Sequence, residues 1–419
     1  MLTKEGYLPR VIDQRANQLM DIFGAVNIEG PKWCGKTWTM LNHANSLSDL
    51  MEGNTKALAE LDPSSVLIGK APHAIDEWQE VPAIWDAVRH EIDQSTEKGR
   101  FLLTGSVTPP EDETLHSGVG RIVTLRMHTM SFFEAGISDG SIRLTDLLAN
   151  KPLKPCSSDL AIADLIAFAC KGGWPGSLNL SLPDALEIPR SYLDTVASSK
   201  TKKGKKRIRN TQAFRMLLTS LARNNASLVS NATLSEDVRK VTPSFAADTL
   251  SDYLEILREH FLLDEISGWS PRIRSKTRML TSPKRLYSDP SLAVAAMRCG
   301  PDALLADLQT FGGVFEGLVL RDLAVYATTQ GATLYHYRDN SNLEVDAILE
   351  FPDSSWAAFE IKLGPKKAGQ GASTLVRLRS KLVDRGFTPP RCLAVITSNG
   401  IAQKREDGIY IVPIGLLRD

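Results

Sequence analysis

One eight-residue segment near the N-terminus constrains the fold more than any other part of the chain. Residues 30–37 read GPKWCGKT and fit the pattern Gly-x-x-x-x-Gly-Lys-Thr. The apolar run over residues 24–30 predicts a buried strand before this segment, and residues 37–44 can continue as a helix after it. A strand, a glycine turn and a helix in this order indicate a phosphate-binding loop of an α/β domain with a parallel sheet, rather than a coincidental glycine loop.

This loop predicts how a nucleotide and its metal ion are held. The backbone N–H groups of the loop can point at a β-phosphate, Lys36 reaches the β- and γ-phosphates, and the Thr37 hydroxyl holds Mg²⁺. We therefore expect every residue of the loop to bind the nucleotide, that is Gly30, Pro31, Lys32, Trp33, Cys34, Gly35, Lys36 and Thr37.

An acidic pair follows the loop. Residues 72–78 give a short apolar approach to Asp76 and Glu77. At a strand end beside a phosphate-binding loop, Asp76 would hold Mg²⁺ through water, and Glu77 would orient or deprotonate the attacking water. The alternative is a solvated acidic pair, which the preceding loop disfavours.

Three further polar positions are candidates for the same site. Residues 99–106 predict a buried strand that ends in Thr104 and Ser106. In ATPases with a catalytic glutamate, a polar residue at this place touches the γ-phosphate and the attacking water, and either hydroxyl could do so. Arg121 precedes another apolar strand, and it could act as an arginine finger on a neighbouring subunit or be a solvated loop arginine.

Composition narrows the functional classes. The 419 residues predict about two to three domains. Because 49 basic residues balance 49 acidic ones, any case for nucleic acid must come from local patches. Five widely spaced cysteines without a Cys-x-x-Cys pair indicate a reducing cytosol and no zinc site. No apolar run is long enough to span a membrane, so we expect a cytoplasmic protein.

Four segments in the first third of the chain resemble bacterial and archaeal AAA-type ATPases that carry a C-terminal domain of unassigned function. They read GPKWCGKT, IDEWQEVP, LLTGS and HSGVGRI. Later segments fit the same resemblance: GGWP (172–175), SPK (282–284), DPSLA (289–293), HYRD (336–339), EVD (344–346) and EIKLG (360–364). The resemblance covers nearly the whole chain and implies ATP binding and hydrolysis. Residues 200–209 depart from it, because they are more basic than we expect of the family.

The middle of the chain predicts two modules. Residues 159–171 form an amphipathic helix that ends at Gly172, and helices in this place commonly form a lid over the nucleotide. Helices over 212–223 and 248–258 and a strand over 261–266 then lead into a basic alternation that comprises Arg272, Arg274, Lys276 and Arg278, followed by Lys284 and Arg285. This order predicts a winged helix whose wing contacts DNA phosphates. A protein-binding winged helix is the alternative.

The last part of the chain predicts a sheet with an acidic face. Strands are expected over 333–338, 344–351, 356–363, 392–397 and 408–413, with a helix over 373–385. Alternation along a strand puts Glu344 and Asp346 on one face. A short turn that pairs Glu350 with Trp356 would place Asp346 opposite Glu360.

This constellation resembles the PD-(D/E)XK nuclease fold, especially its Holliday-junction-resolvase-like branch. The resemblance implies that Asp346 and Glu360 hold Mg²⁺ and that Lys362 positions or activates water. Glu316, near the start of the preceding helix, would assist the metal. Domains of this fold have also lost cleavage or been kept for binding, so binding alone is the alternative.

Together these features predict an α/β protein of four domains. They are an AAA-type ATPase domain (1–150), a helical lid with a basic linker (151–209), a winged-helix-like domain (210–295) and a PD-(D/E)XK nuclease-like domain (296–419). We expect an ATP- and Mg²⁺-dependent homo-oligomer that moves along DNA or remodels branched DNA. An ATP-gated endonuclease and a nucleotide-dependent switch that binds protein partners are the alternatives.

Overall fold

In a computed structural model, which describes residues 2–106, 118–198, 208–272 and 282–419, the chain divides into two units. The first unit comprises Met1–Thr129 with Leu257–Phe261, and the second comprises Met130–Ile256 with Leu262–Asp419. The four-domain division stays a prediction. Most of the predicted basic linker, together with Arg274, Lys276 and Arg278 of the predicted wing, lies outside the described residues.

A five-stranded parallel sheet organises the first unit. Its strands in chain order are β1 (Ala25–Glu29), β2 (Ser46–Asp49), β3 (His73–Asp76), β4 (Phe101–Gly105) and β5 (Ile122–Arg126). Their order across the sheet is β2-β3-β4-β1-β5, and every neighbouring pair is parallel. The predicted parallel α/β sheet is confirmed. Because all five strands run the same way, their carboxyl ends meet at one edge, where ligands bind in open α/β sheets.

Helices cover both faces of this sheet. They are α1 (Ile12–Met20), α2 (Lys36–His43), α3 (Gly53–Leu61) and α4 (Ala83–Asp93). Val26 and Leu102 pack with residues of α1 and α2, whereas Ala25 and Leu103 pack with residues of α3 and α4. Successive side chains of a strand point to opposite faces, so a strand buried on both faces is apolar throughout. Apolar residues on both faces of β1 and β4 fit this rule, while Asn27, Glu29 and Thr104 are the polar exceptions in these two strands.

The second unit begins with short elements and helices. In chain order they are β6 (Ile142–Arg143), α5 (Leu144–Leu148), β7 (Ser157–Ser158), α6 (Ile162–Lys171), α7 (Leu182–Ser198), α8 (Thr211–Arg223), α9 (Asn231–Arg239) and α10 (Ala247–Glu259), of which residues 257–259 are assigned to the first unit. The predicted stop of α6 is confirmed, because Gly172 has a φ of 76° there. Coverage of the nucleotide by these helices stays a prediction. No helix among the described residues is long and apolar enough to cross a bilayer.

An antiparallel hairpin follows these helices and corrects part of the predicted wing. It consists of β8 (Leu263–Ile266) and β9 (Lys284–Tyr287). Lys284 and Arg285 do not extend an exposed basic face, since they are only 1% and 6% exposed. Arg285 Nε lies 2.8 Å from Glu265 Oε1, and Lys284 faces carboxylates of the C-terminal sheet and of the helix before it. Buried cations of this kind are held by internal ion pairs and are not available to DNA.

The C-terminal part is a six-stranded mixed sheet with helices. The helices are α11 (Pro290–Met297), α12 (Pro301–Ala306), α13 (Leu308–Thr328) and α14 (Ala368–Val383). The strands are β10 (Thr333–Arg338), β11 (Glu344–Glu350), β12 (Trp356–Lys362), β13 (Cys392–Thr397), β14 (Gly400–Ile401), β15 (Gln403–Lys404), β16 (Tyr410–Pro413) and β17 (Leu417–Arg418). The sheet order is β10-β11-β12-β13-β16-β15, while β14 pairs with β7 and β17 pairs with β6.

The predicted register of β11 and β12 is confirmed. Glu350 pairs with Trp356, and the ladder continues to Ala347 opposite Phe359. The next positions are Asp346 and Glu360, as the short turn predicts.

The predicted start of α13 is wrong. The helix begins at Leu308 and runs through Gly312 and Gly313, so Glu316 lies in its middle. The reason is close packing: a Cβ added to Gly317 would lie 2.5 Å from Asn225 Nδ2, and a Cβ added to Gly313 would lie 3.4 Å from the Asn225 carbonyl oxygen. Glycines at such positions allow another segment to approach a helix and need not mark a turn.

Candidate functional site

The predicted phosphate-binding loop lies between β1 and α2, at the carboxyl edge of the first sheet. Two of its glycines are required by geometry. A Cβ on Gly30 would lie 2.2 Å from the Met127 carbonyl oxygen, and Gly35, the residue before α2, has a φ of 104°. The loop therefore delivers the N-terminus of α2 to the sheet edge with its first backbone N–H groups unpaired within the helix. This is the arrangement that binds phosphate.

Lys36 and Thr37 point to two different parts of the site. The Lys36 ammonium group donates hydrogen bonds of 2.9 Å to the carbonyl oxygens of both Gly30 and Pro31. Thr37 Oγ1 donates to Asp76 Oδ2 at 2.9 Å. The loop and the end of β3 thus meet through the two groups that were predicted to hold Mg²⁺.

Thr104 and Ser106 donate to different carboxylates of the acidic pair, which distinguishes the two hydroxyls where the sequence did not. Thr104 Oγ1 donates to Asp76 and accepts from the Glu77 backbone N–H at 3.2 Å. Ser106 Oγ donates to Glu77 Oε2 at 2.8 Å. Burial raises the pKa of Asp76, and the hydrogen bonds from Thr104 and Thr37 lower it in part. Ser106 is therefore the hydroxyl that contacts the predicted catalytic carboxylate.

Glu77 has a strained backbone. Its φ of 56° and ψ of 45° lie in the left-handed region, which costs a non-glycine residue about 1–3 kcal/mol. The following residue anchors this turn, because Trp78 is buried and its Nε1 donates to Asn27 Oδ1 at 3.1 Å. The Gln79 amide also donates to the Glu77 carboxylate. Strain that neighbours hold in place is typical of a functional position.

A buried arginine that the sequence does not single out lies behind the loop. Arg10 is 7% exposed; it donates to the Cys34 carbonyl oxygen at 2.7 Å and to the His128 carbonyl oxygen at 2.9 Å. It therefore ties the middle of the loop to the segment that follows β5. No local pattern marks it, since its partners are distant in sequence.

A polar network beside Arg10 holds α2. Tyr7 OH donates to Asp13 Oδ1 at 2.8 Å and lies 3.3 Å from Thr39 Oγ1. His43 Nε2 lies 2.9 Å from Asp13 Oδ1. Burial is the main cause that raises the pKa of Tyr7, so its hydroxyl stays protonated as a donor. The N-terminal segment thus supports the helix that begins at Lys36.

Two of the predicted nucleotide-binding residues of the loop, and also Arg121, lie nearer the surface. Lys32 and Trp33 are exposed, and Trp33 has a φ of 64°. Arg121 Nε lies 2.8 Å from Asp93 Oδ1, and nearly half of the Arg121 side chain is exposed. This contact leaves both alternatives for Arg121 open, because an exposed ion pair is weak enough to exchange for a phosphate.

The predicted constellation of the C-terminal sheet does come together. Lys362 Nζ lies 2.5 Å from Glu360 Oε2 and 3.3 Å from Asp346 Oδ2. Glu316 reaches the same place from α13, where Lys284 Nζ lies 2.6 Å from Glu316 Oε1 and 3.7 Å from Asp346 Oδ1. Burial, with Asp346 as a second cause, raises the pKa of Glu360 to about 8, and the same two causes raise the pKa of Glu316 to about 7.

The metal role of Glu316, Asp346 and Glu360 stays a prediction. Within the part of the chain that the structure describes, no group of three or more His, Cys, Asp or Glu side chains could hold a metal ion. The physical reason is that the ammonium groups of Lys284 and Lys362 lie between the carboxylates. In the sequence, Lys284 follows the basic alternation of the predicted wing, so its place in this cluster was not predicted.

The GGWP and DPSLA segments form a buried network in the second unit. Asp289 Oδ2 accepts from the Gly173 N–H at 2.9 Å and lies 3.2 Å from Arg321 Nη1. Trp174 Nε1 donates to Ser291 Oγ at 2.9 Å. All these side chains are buried, so Trp174 is a packing anchor of this network.

Comparisons with known proteins divide the chain into three parts. Residues 23–136 match the family model of an AAA domain. Residues 162–303 and 311–417 each match a domain of unknown function, DUF8612 and DUF4143. Neither of these two matches bears on the predicted winged helix or nuclease-like fold.

Similar proteins cover most of the chain at low identity. The uncharacterized proteins Rv2008c of Mycobacterium tuberculosis and Mb2031c of Mycobacterium bovis are each 24% identical over 347 residues, which is 80% of this chain and 70% of theirs. The Walker-type ATPase PABY2304 of Pyrococcus abyssi is 12% identical, with a TM-score of 0.44 over 70% of this chain and 97% of that one. Drosophila ORC bound to DNA is 14% identical, with a TM-score of 0.18 over 63% and 86%.

Proposed function

We propose, from the premise that residues 23–136 are an AAA domain, that this chain is a Mg²⁺-dependent ATPase. One observation carries the proposal. Thr37 of the loop meets Asp76 of the acidic pair at one edge of a parallel sheet, with Thr37 Oγ1 only 2.9 Å from Asp76 Oδ2. A loop that binds phosphate and an acidic pair that holds metal and water are the two parts that nucleotide hydrolysis requires.

The residues divide the chemistry between them. Backbone N–H groups at the start of α2 would hold the β-phosphate, and Lys36 would exchange the carbonyl oxygens of its own loop for phosphate oxygens. Thr37 would hold Mg²⁺ directly and Asp76 through water; the ion, when bound, neutralises charge on the phosphates. Glu77 would orient or deprotonate the attacking water, and the Ser106 hydroxyl keeps the carboxylate of Glu77 in place.

Measuring phosphate release from ATP with and without Mg²⁺ tests this proposal. Calorimetry on the purified chain would measure ATP binding separately. We expect Lys36→Ala to lose both binding and hydrolysis, whereas Lys32→Ala, in the exposed part of the same loop, should affect them less. If the wild-type chain takes up no ATP in the presence of Mg²⁺, the proposal fails.

We also propose that the ATPase acts on DNA, by moving along it or remodelling branched forms. The support is the order of the elements α8, α9, α10, β8 and β9, which is that of a winged helix. The neutral net charge adds nothing, and the burial of Lys284 and Arg285 removes two cations from the predicted face. Hydrolysis rates with single-stranded, double-stranded and branched DNA test this step. No stimulation by any form, together with very slow turnover, would favour a switch that binds protein partners.

Homo-oligomerisation belongs to the same proposal, with Arg121 as an arginine finger. For this role the guanidinium must leave Asp93 and reach a phosphate of a neighbouring subunit. We expect Arg121→Ala to lower kcat by about a thousandfold or more at unchanged ATP affinity. Asp93→Asn, which removes the competing ion pair, should not lower kcat. Sizing with a non-hydrolysable ATP analogue measures assembly, and a monomer under these conditions would contradict this part.

An ATP-gated endonuclease is a second candidate, because Asp346, Glu360 and Lys362 converge as the nuclease resemblance implies. It requires that a divalent metal ion displace the Lys284 ammonium group from between Glu316 and Asp346. Incubation of labelled branched DNA with Mg²⁺ or Mn²⁺ tests it, with Asp346→Ala as the control. Cleavage that is unaffected by this substitution would exclude the site.

A further inference from the structure

We infer that Lys284 is the resident cation of the C-terminal acidic site and that this site is complete without a divalent metal ion. The C-terminal acidic site consists of Glu316, Glu344, Asp346 and Glu360 together with Lys284 and Lys362. This inference does not depend on ATP hydrolysis by the first unit, because all six residues belong to the second unit.

The position of Lys284 carries the inference. Its side chain is 1% exposed, and its Nζ lies between a helix carboxylate and a strand carboxylate, 2.6 Å from Glu316 Oε1 and 3.7 Å from Asp346 Oδ1. It also lies 3.5 Å from the Asp346 backbone carbonyl oxygen and 4.0 Å from Glu344 Oε1. Oxygen atoms from three acidic residues therefore surround one ammonium group.

Lys362 is the second cation of the C-terminal acidic site. Its Nζ contacts Glu360 Oε2 at 2.5 Å and Asp346 Oδ2 at 3.3 Å. Asp346 Oδ2 also accepts from the Ile361 backbone N–H at 2.8 Å. Both carboxylate oxygens of Asp346 are therefore engaged, one by each side of the cluster. A metal ion that binds Asp346 needs a free lone pair and a place for its other oxygen ligands.

A metal ion and Lys284 compete for one place. Mg²⁺ takes oxygen ligands at about 2.0–2.1 Å, and a protonated lysine offers donors only. The gap between Glu316 and Asp346 that would receive the ion contains the ammonium group. Since two cations a few ångströms apart repel each other strongly at a buried site, one must leave before the other enters.

Lys284 reaches this site from an element that carries none of the carboxylates. It is the first residue of β9, whereas Glu316 lies on α13 and Asp346 on β11. The cation therefore ties the β8–β9 hairpin to the C-terminal sheet. A buried ion pair of this kind specifies how two elements meet. A metal ion that is held only by the sheet and α13 would not specify the position of the hairpin.

The test is Mn²⁺ binding to the nucleotide-free full chain, measured through the paramagnetic resonance signal of free Mn²⁺. We expect wild type and Asp346→Asn to bind Mn²⁺ equally. Lys284→Met should gain a site that binds Mn²⁺ at least tenfold more tightly, and Lys284→Met with Asp346→Asn should lose it again. Lys366→Met is the matched control, because it removes an exposed lysine from the same sheet region.

Two results would overturn the inference. The first is wild-type Mn²⁺ binding that Asp346→Asn weakens tenfold or more, since the site would then hold a metal beside Lys284. The second is a folded Lys284→Met chain that gains no site. If Lys284→Met does not fold, the comparison of wild type with Asp346→Asn still decides, and Lys284→Arg, which keeps the charge, should bind Mn²⁺ like wild type.

Discussion

Replacing Arg10 by methionine should weaken ATP binding, although Arg10 lies outside the phosphate-binding loop. Its guanidinium donates to the Cys34 carbonyl oxygen in the loop at 2.7 Å and to the His128 carbonyl oxygen at 2.9 Å. Methionine keeps most of the apolar stem but removes both donors. The Cys34 carbonyl oxygen then loses a charged partner in a buried place, and the loop loses its link to the segment after β5.

The size of the expected change in Kd follows from the loss of one contact within the loop, the hydrogen bond to the Cys34 carbonyl oxygen. Leaving a buried acceptor without its partner costs about 1–3 kcal/mol. If the free loop loses its order and ATP must restore it, this cost appears in Kd as about a 5- to 150-fold increase. The value of kcat should change less, because these two hydrogen bonds go to the loop and to the segment after β5, and not to the acidic pair.

Calorimetric titration with ATP and Mg²⁺ measures this effect. Arg15→Met is the matched control, because Arg15 lies on α1 and its contact is a 3.1 Å hydrogen bond to Gln18. Arg10→Lys should recover part of the affinity, since one ammonium group can still reach a carbonyl. A folded Arg10→Met chain that binds ATP with the wild-type Kd, or an equal loss of affinity in Arg15→Met, would contradict this role of Arg10.

Two further predictions concern the acidic pair and the buried network. Glu77→Gln should keep ATP binding and lose hydrolysis by about a hundredfold or more, which single-turnover phosphate release measures; hydrolysis at the wild-type rate would exclude Glu77 as the base. Arg321→Met should lower the free energy of unfolding by about 3–5 kcal/mol because Asp289 and Asp322 are fully buried, whereas exposed Arg215→Met should cost at most about 1 kcal/mol. Burial raises the pKa of Asp322 to about 6. Protonation of Asp322 therefore favours the folded state as pH falls below that value. The loss of unfolding free energy caused by Arg321→Met, measured by urea unfolding, should be smaller at pH 5 than at pH 8. Equal losses at the two pH values would contradict this prediction.

Much of the fold was predictable because local patterns encode it. The apolar run before Gly30, the stop at Gly172 and the short turn that pairs Glu350 with Trp356 all depend on near neighbours in the chain. The start of α13 was not predictable in this way. Glycines signal a turn locally, and only the packing of Asn225 against Gly317 explains why the helix continues through them.

Local sequence was enough to locate the predicted phosphate-binding loop, the acidic pair and the adjacent positions of Asp346 and Glu360. A loop, a strand end and a two-strand register are set by spacing within a few residues, and parallel strands bring their ends to one edge.

Tertiary structure alone decided which side chains surround these groups. Arg10 reaches a carbonyl 24 residues away, and Lys284 reaches a carboxylate 32 residues away. No periodicity records such pairs, because burial removes a charge from water and so forces it to find a partner wherever the folded chain supplies one. In the sequence, Lys284 follows a basic alternation that predicts a DNA-binding wing. In the folded chain, the same residue forms an internal ion pair.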